Sequence, residues 1–433
     1  TVKSLNQTAL IYAPETHTKY SNAGIAVVGY VLEKTQKQPF ADYLKKILLD
    51  PLGMKQSSFQ PTPEINKNLA KSQMWTVFGK TFDAPVFELG IAPAGSMYTT
   101  TGDLANFARS LFNYDKSILK KEMLEKMWQP QYAETGQKNG FGIGFRISDL
   151  DGHRLVGHGG AIYGFSTQLS VLPDDKLGVV VISTKDFSNG VTSRIANIAL
   201  KSMLAERENK AIPQPEMTNP IAPELVKKIA GRYSDGTQTI DLIKRGNNLS
   251  AFDTSGGYEA RLRSYENTLI VDDKFAFGNR LTPNTDGNSI NLGNKTLKRI
   301  STEKPPPISE KWRGLIGEYG PDYDTLYVFE QDGKLWVLIE QFEYDKLEQV
   351  SDNVFNFPKS GLYDGEQVVF KRNSKGQATE VIAAGVSFKR RQIGPESGNQ
   401  LLIKPLRPVN ELIKEALASQ PPNETGNFRQ TDL

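Results

Sequence analysis

No cysteine occurs anywhere in the 433 residues, which excludes disulfides, thiolate metal sites and a cysteine nucleophile. Histidine is nearly as scarce, with only His17, His153 and His158. So few nitrogen ligands could complete an all-protein zinc site only with help from carboxylates, and no metal or cofactor is expected. No apolar run is long enough to span a bilayer. The opening TVKSLNQTAL has neither the basic start nor the apolar core of a secretory leader. Nor does one sign of charge prevail. The 52 Lys and Arg nearly balance 49 Asp and Glu, for a net charge of +3, which gives no case for nucleic acid or an anionic membrane as partner. What is present is 38% hydrophobic and 9% aromatic residues. That suffices for folded cores, and a chain of this length is expected to hold about two to four domains.

The pattern changes in kind along the chain. Ile25, Val28 and Leu32 recur at helical spacing after SNAG, and Phe40, Leu44, Ile47 and Leu48 extend an apolar face beyond Pro39. Residues 51–90 read as loops and short helices. At TTTGDLANFARSLFN, Thr100 is a candidate N-cap with Asp103 three residues on, before Leu104, Phe107, Ala108 and Leu111. After a helix around KEMLEKMW the period becomes two: FGIGFRIS, RLVGHGGA, FSTQLSVL and LGVVVISTK read as strands, with PDDK turning the last two into a hairpin. VVVIS is apolar throughout and predicts a central strand. SRIANIALKSMLAE closes the unit as a helix. The fold class is therefore α+β over residues 1–211.

A Pro-rich linker follows at 212–224, and beyond it lies a repeat. GRY at 231–233 returns as GEY at 317–319, TIDLIKRGNNL as TLYVFEQDGKL, and ENTLI as DNVFN, each 86 residues later; LKRI and FKRR close the two copies. Alternating residues between RGNN- and QDGK-type turns predict two small antiparallel β-barrel domains, 225–303 and 311–393, with one fused barrel as the rival. A tail, 394–433, carries a short helix at PVNELIKEALAS. Few contacts are expected to cross the linker.

Two stretches carry candidate chemistry. In HTKYSNAG, Tyr20 and Asn22 stand two apart where a helix begins and can point into one cleft. A tyrosine there is a candidate general base if a nearby ammonium lowers its proton affinity. The bland alternative is a core tyrosine beside a helix-capping asparagine. In VGHGGAIYGF, His158 precedes Gly159, Gly160 and Ala161 within a strand. Glycine there marks close approach by a ligand or by another backbone, and exposed amides could bind a substrate laid along the edge.

Taken together, the ordered motifs YSNAGIAVVGYVLEKTQKQPFADYLKKILLDPLGM, PAGSMYTTTGDL and HGG resemble the serine β-lactamase and penicillin-binding-protein superfamily, in its class C β-lactamase-like esterase and D-peptidase branch. The resemblance covers residues 1 to about 208. It implies the C-terminal part of a β-lactamase/transpeptidase-like domain, an acyl-enzyme mechanism, and export to the periplasm or outside the cell. Tyr20 would shuttle a proton, Asn22 would position substrate or lysine, and His158 would take the place of the family's third-motif lysine. Gly159, Gly160 and Ala161 would line the substrate, with the Ala161 amide as an oxyanion donor. The β repeats resemble lipocalin-like barrels appended to such enzymes, and PPNETGNFRQTDL resembles the lead-in to bacterial D-alanyl-D-alanine dipeptidase domains.

One element is out of place. The family's Ser-x-x-Lys nucleophile precedes Tyr-x-Asn, whereas SILK at 117–120 and STEK at 301–304 follow it. The expectation is that this first catalytic segment lies upstream, as a missing partner of the chain, and that the fragment alone is inactive. The substrate is expected to be a small molecule or peptide, whether ester, D-peptide or β-lactam; a homo-oligomer stays open. The rival classes are a non-catalytic peptide-, glycan- or lipid-binding protein and, more remotely, a metallohydrolase.

Overall fold

A computed structural model describes residues 2–7, 10–16, 18–77, 79–86, 89–113, 118–134, 136–302, 307–392, 396–397, 400–401 and 408–419. His17, Ser117 and the PPNETGNFRQTDL stretch lie outside the described residues. Helix α1 (Asn22–Gln36) begins where Ser21, in extended backbone, accepts the Gly24 N–H at 3.0 Å. It packs on the short helix Ala92–Gly95, and an added Cβ at Gly29 would lie 2.0 Å from Pro93 Cγ. Helix α2 (Thr101–Asn113) starts as expected, with the Thr100 hydroxyl accepting from the Asp103 N–H at 3.2 Å. The Asp103 carboxylate serves a different purpose from a reciprocal cap. Buried, it accepts from the Gln56 N–H at 2.8 Å and from Ser57 Oγ at 2.7 Å, tying the loop after α1 to α2.

Five antiparallel strands follow in chain order: β1 (Gly140–Phe141), β2 (Arg146–Leu150), β3 (His153–Ile162), β4 (Phe165–Leu172) and β5 (Leu177–Ser183). Helix α2 lies on one face and α3 (Asn189–Arg207) on the other. The strand period sorts neighbours between the two layers. Val156 and Val171 join Ala108, Leu111 and Trp128, whereas Leu172 and Leu177 join Leu200 and Leu204. One expectation is corrected here. VVVIS forms β5, which among the described residues pairs only with β4 and so stands at the sheet's rim. Its apolar character answers the helices above and below it, not strands on both sides.

The two repeat copies fold differently. The first is a closed ring of eight antiparallel strands between Gly231 and Ile300, sealed where Lys295–Ile300 pairs with Gly231–Ser234. The second, Gly317–Lys389, is two sheets around one core, joined at the Tyr319–Arg390 bridge. Each of these sheets has five strands, and the first borrows Gly256–Gly257 from the ring, which pairs with Tyr344 and Asp345. The copies are thus hydrogen-bonded to each other. The linker is fastened as well. Asn219 and Ser264 exchange backbone bonds at 2.8 Å, and Arg280 holds Glu216 at 2.6 Å.

The repeated Gly-x-Tyr has a physical reason. Tyr233 and Tyr319 are fully buried, and each hydroxyl donates to a carbonyl four residues earlier, Ile229 at 2.8 Å and Leu315 at 2.5 Å. Arg299 and Arg390, from the LKRI and FKRR stretches, then donate to those hydroxyls at 2.7 and 2.9 Å and lie over the rings. A Cβ at Gly231 or Gly317 would meet the guanidinium at 2.6 or 2.7 Å, so glycine makes room for it. Arg390→Met should therefore strand the carbonyl of Ile316, its partner at 2.8 Å. The expected loss is about 1–3 kcal/mol, seen as a lower urea midpoint by tryptophan fluorescence; an unchanged midpoint would show the clamp to be idle.

Candidate active site

Because Ser21 is the N-cap, Asn22 is released from that duty, and the bland reading of it as the capping residue does not hold. Its Oδ1 instead accepts from the Tyr20 hydroxyl at 3.1 Å. The tyrosine ring is 56% exposed, so the pair stands at the surface of a cleft and not in a core. His158, on β3, is also exposed. Its Nδ1 lies 2.5 Å from the Gly159 carbonyl. A carbonyl can only accept, so Nδ1 carries a hydrogen and Nε2 is the nitrogen turned outward. Among the described residues no hydrogen bond joins the Tyr20–Asn22 pair to His158.

The glycines of β3 do two jobs. Gly157 and Gly160 face β4 so closely that a Cβ would lie 2.1 Å from the Leu169 carbonyl oxygen and 2.5 Å from Thr167 Oγ1. These two are explained by packing. Gly159 has only ordinary contacts at 3.4 Å or more, so packing leaves it unexplained. Register supplies the rest. Strand β2 pairs with β3 only as far as Gly157, whereas β4 runs beside it to Ile162. Among the described residues, 158–162 therefore have a strand on one side alone, an edge of the kind that can take an extended ligand. Asn189, at the start of α3, steadies this stretch by donating to the Gly160 carbonyl at 3.0 Å.

The expectation that few contacts cross the linker is corrected by two segments that sequence reading missed. The loop 361–366 comes from the second repeat copy to the approach to α1. Lys19 Nζ donates to the carbonyls of Asp364 and Leu362, the latter at 3.4 Å, and lies 3.9 Å from Glu366. Gly365, at φ +79°, passes so near that a Cβ would lie 2.1 Å from Ile11 Cγ2. A small cavity of about 110 Å³ results, lined by Tyr12, Thr18, Lys19, Tyr20, Leu362 and Asp364 among others. The second segment is the turn 340–342, whose Gln341 Oε1 accepts the Val77 N–H at 3.0 Å. Neither shows a local signal beyond its turn residues, because the contacts link positions more than 260 residues apart in the chain. Among the described residues no group of three or more His, Asp and Glu side chains could hold a metal ion. None of the helices described is long and apolar enough to cross a membrane.

Residues 1–202 match the family model described as Beta-lactamase. That part of the chain is similar to the β-lactamase and penicillin-binding-protein-like superfamily. Beta-lactamase-like protein 2 of Dictyostelium discoideum is 28% identical over 189 residues, 43% of this chain and 34% of its own length. The D-aminopeptidase of Brucella ovis is 23% identical over 421 residues, 88% of this chain and 72% of that protein. An octameric penicillin-binding protein homologue from Pyrococcus abyssi covers 77% of this chain and 66% of its own, with 22% identity and a TM-score of 0.44. The chain spans between 34% and 41% of the length of three such relatives.

Removing the Lys19 ammonium should free the loop without unfolding the protein. In Lys19→Met, tryptic cleavage after Lys359 should quicken by up to about tenfold, the scale of losing charge-assisted bonds to two carbonyls. Unchanged cleavage would mean that the loop is held by other contacts.

Proposed function

We propose that this chain is the C-terminal part of a serine hydrolase that cleaves an amide or ester through an acyl-enzyme. The preferred substrates in this reading are D-amino-acid-containing peptides, with small esters next. The observation that carries it is the Tyr20–Asn22 pair, uncoupled from helix capping and presented at an open cleft in the family's Tyr-x-Asn place. The nucleophile in this reading is an upstream serine of a Ser-x-x-Lys turn, since the two such stretches within the chain stand out of order.

The chemistry follows from the groups at hand. The serine oxygen bonds to the substrate carbonyl carbon while its proton passes to the Tyr20 oxygen, whose own proton moves on to the neighbouring lysine in its neutral amine form. As the tetrahedral intermediate collapses, the C–N or C–O bond breaks and the leaving group takes that proton. Water then repeats the sequence and frees the acid. The Ala161 amide, on the open edge of β3, and the serine's own amide would hold the oxyanion. Asn22 keeps the tyrosine oxygen aimed, and His158 Nε2 offers an outward partner for the tyrosine or a substrate carboxylate. Gly159 and Gly160 keep side chains out of the substrate's path.

The choice of a D-peptide has its own support. The match to the D-aminopeptidase continues through both β units, whereas that to the Dictyostelium protein covers less than half of this chain. The carboxylates of Asp364 and Glu366 beside the Tyr20 cavity suit a substrate carrying an ammonium group. Lipocalin-like ancestry for the β units and export from the cytoplasm belong to the same proposal.

The test uses the polypeptide with its upstream segment restored. Tyr20→Phe should lower kcat by on the order of 10²–10⁴ with a much smaller change in KM, since only the proton-carrying oxygen is lost. His158→Ala should cost less. Near-normal turnover in Tyr20→Phe with abolition in His158→Ala would reverse the two roles. The present 433 residues alone should show no acylation burst with activated esters or penicillins; stoichiometric labelling at Ser117 or Ser301 would overturn the upstream nucleophile.

A further inference from the structure

The turn 340–342 joins Lys334–Ile339 to Glu343–Lys346, since Ile339 and Glu343 are directly paired. It reaches into the place where the hydrolase-like domain, the barrel and the second repeat copy meet. Phe342 sits between Phe187, 4.4 Å away, and Phe275 of the barrel, stacked at 5.0 Å. Gln341, only 6% exposed, takes the Val77 N–H. Glu340 and Gln341 both occupy left-handed backbone, at φ +53° and +67°, where glycine or asparagine would be easier. Their side chains are thus kept at a conformational cost.

Carboxyl groups crowd this junction from both sides. From the second repeat copy come Glu340, Asp324 and Glu343, with Asp345 behind Glu343. From the hydrolase-like side comes Asp186, 1% exposed, which accepts the Phe187 N–H at 3.1 Å. The facing groups are Tyr363, whose hydroxyl lies 3.2 Å from Glu340, and Tyr163, which bonds to Asp324. The cation facing Asp186 is Lys274 of the barrel, 4.0 Å above the Trp75 ring and itself buried enough to lose proton affinity. Surface ion pairs elsewhere match acids to arginines, but Glu340 has hydroxyl and carboxyl neighbours instead.

We infer that the Glu340–Phe342 turn is a latch between the second repeat copy and the hydrolase-like domain, closed in acid and loosened as pH rises through neutrality. The geometry requires it: ionising Glu340 or Asp186 places charge in an apolar junction already shared with other acids. Burial accordingly pushes Glu340 up to about 7, with Asp324 and Glu343 adding to the shift. Burial likewise pushes Asp186 up to about 7, with Glu340 adding. The sign follows. Both groups hold protons more tightly when the latch is docked than when it is open and water reaches them, although Asp324 and Glu343 stay beside Glu340 in either state. Docking is at full strength below about pH 4, weakens as pH rises towards 7, and levels off once both carboxyls are ionised in either state. The latch bears on Tyr163, two residues beyond Ala161, but its existence does not depend on the catalytic reading.

Hydrogen exchange tests it, because the Val77 amide is protected by Gln341 itself. Corrected for intrinsic rates, protection of the peptide containing Val77 should fall about tenfold or more between pH 4.5 and 8 in the unmodified chain. In the double variant Glu340→Gln/Asp186→Asn, which keeps shape and hydrogen-bonding groups, protection should be flat with pH. Strand β2, away from the junction, should show no change in either protein. A flat profile in the unmodified chain would overturn the latch. So would an equal fall in the double variant, or a parallel fall in β2 that marks global loosening.

Discussion

Packing of three half-buried rings, Phe187, Phe275 and Phe342, at the point where three folded units meet is the contact on which the geometry of the cleft depends. Each ring comes from a different unit. Aromatic pairs of this kind contribute on the order of 1 kcal/mol beyond area burial. That is modest for a domain, yet enough to fix a hairpin that would otherwise swing on a register of short strands. Once Phe342 is seated, Gln341 meets Val77 and Glu340 is carried out of water. The second repeat copy then lies close enough for its 361–366 loop to reach Lys19. The candidate site is therefore assembled by the β units as much as by the helices that carry its tyrosine.

The cleft's floor follows from a simpler constraint, unequal strand length. Strand β2 ends its pairing at Gly157 while β4 continues to Ile162, so part of β3 has an unpaired edge inside an otherwise paired sheet. Edges of this kind are usually a hazard to be blunted. Here no Lys or Pro lies between His158 and Ile162, and two of the five positions are glycine. Gly160 is needed for the close approach of Thr167, but Gly159 is not needed for any contact within the fold. Asn189 holding the Gly160 carbonyl keeps the edge straight from the far side.

How much of this was legible in the sequence depends on range. Local rules placed α2 and its Thr100 cap, the PDDK hairpin, and the 86-residue repeat with its RGNN and QDGK turns, because each is set by residues within a few positions. The Tyr–Arg clamp was visible as recurring letters, GRY with LKRI and GEY with FKRR, though its buried hydrogen bonds were not. VVVIS was misplaced because apolarity on both faces does not distinguish flanking strands from covering helices. Asn22 was weighed as a cap because Ser21, one residue earlier, is an equally good cap by type and only the extended backbone at Ser21 decides between them. Lys19, Asp364, Glu340 and Phe342 carried no signal at all. Lys19 and Asp364 lie 345 residues apart, Phe342 meets rings from two other units, and no turn chemistry specifies which distant surface a loop will touch.

The two repeat copies show what such contacts demand of a duplicated unit. Both keep the Gly-x-Tyr clamp and the Arg that seals it, since that clamp is internal and each copy needs its own core. They differ where they face the rest of the molecule. The first closes into a ring and lends Gly256 and Gly257 to its neighbour; the second stays as two sheets, and its free hairpin and loop extend towards the hydrolase-like domain. A closed ring has no spare edge to offer, so the copy that shapes the cleft has to be the one that remains open. On this argument the second copy's incomplete closure belongs with its position: the Ile339–Glu343 turn carries strained, acidic and aromatic residues where the ring's corresponding turns carry ordinary polar ones. The stability given up there, in left-handed backbone and in carboxyls moved out of water, fixes the contact beside Tyr163.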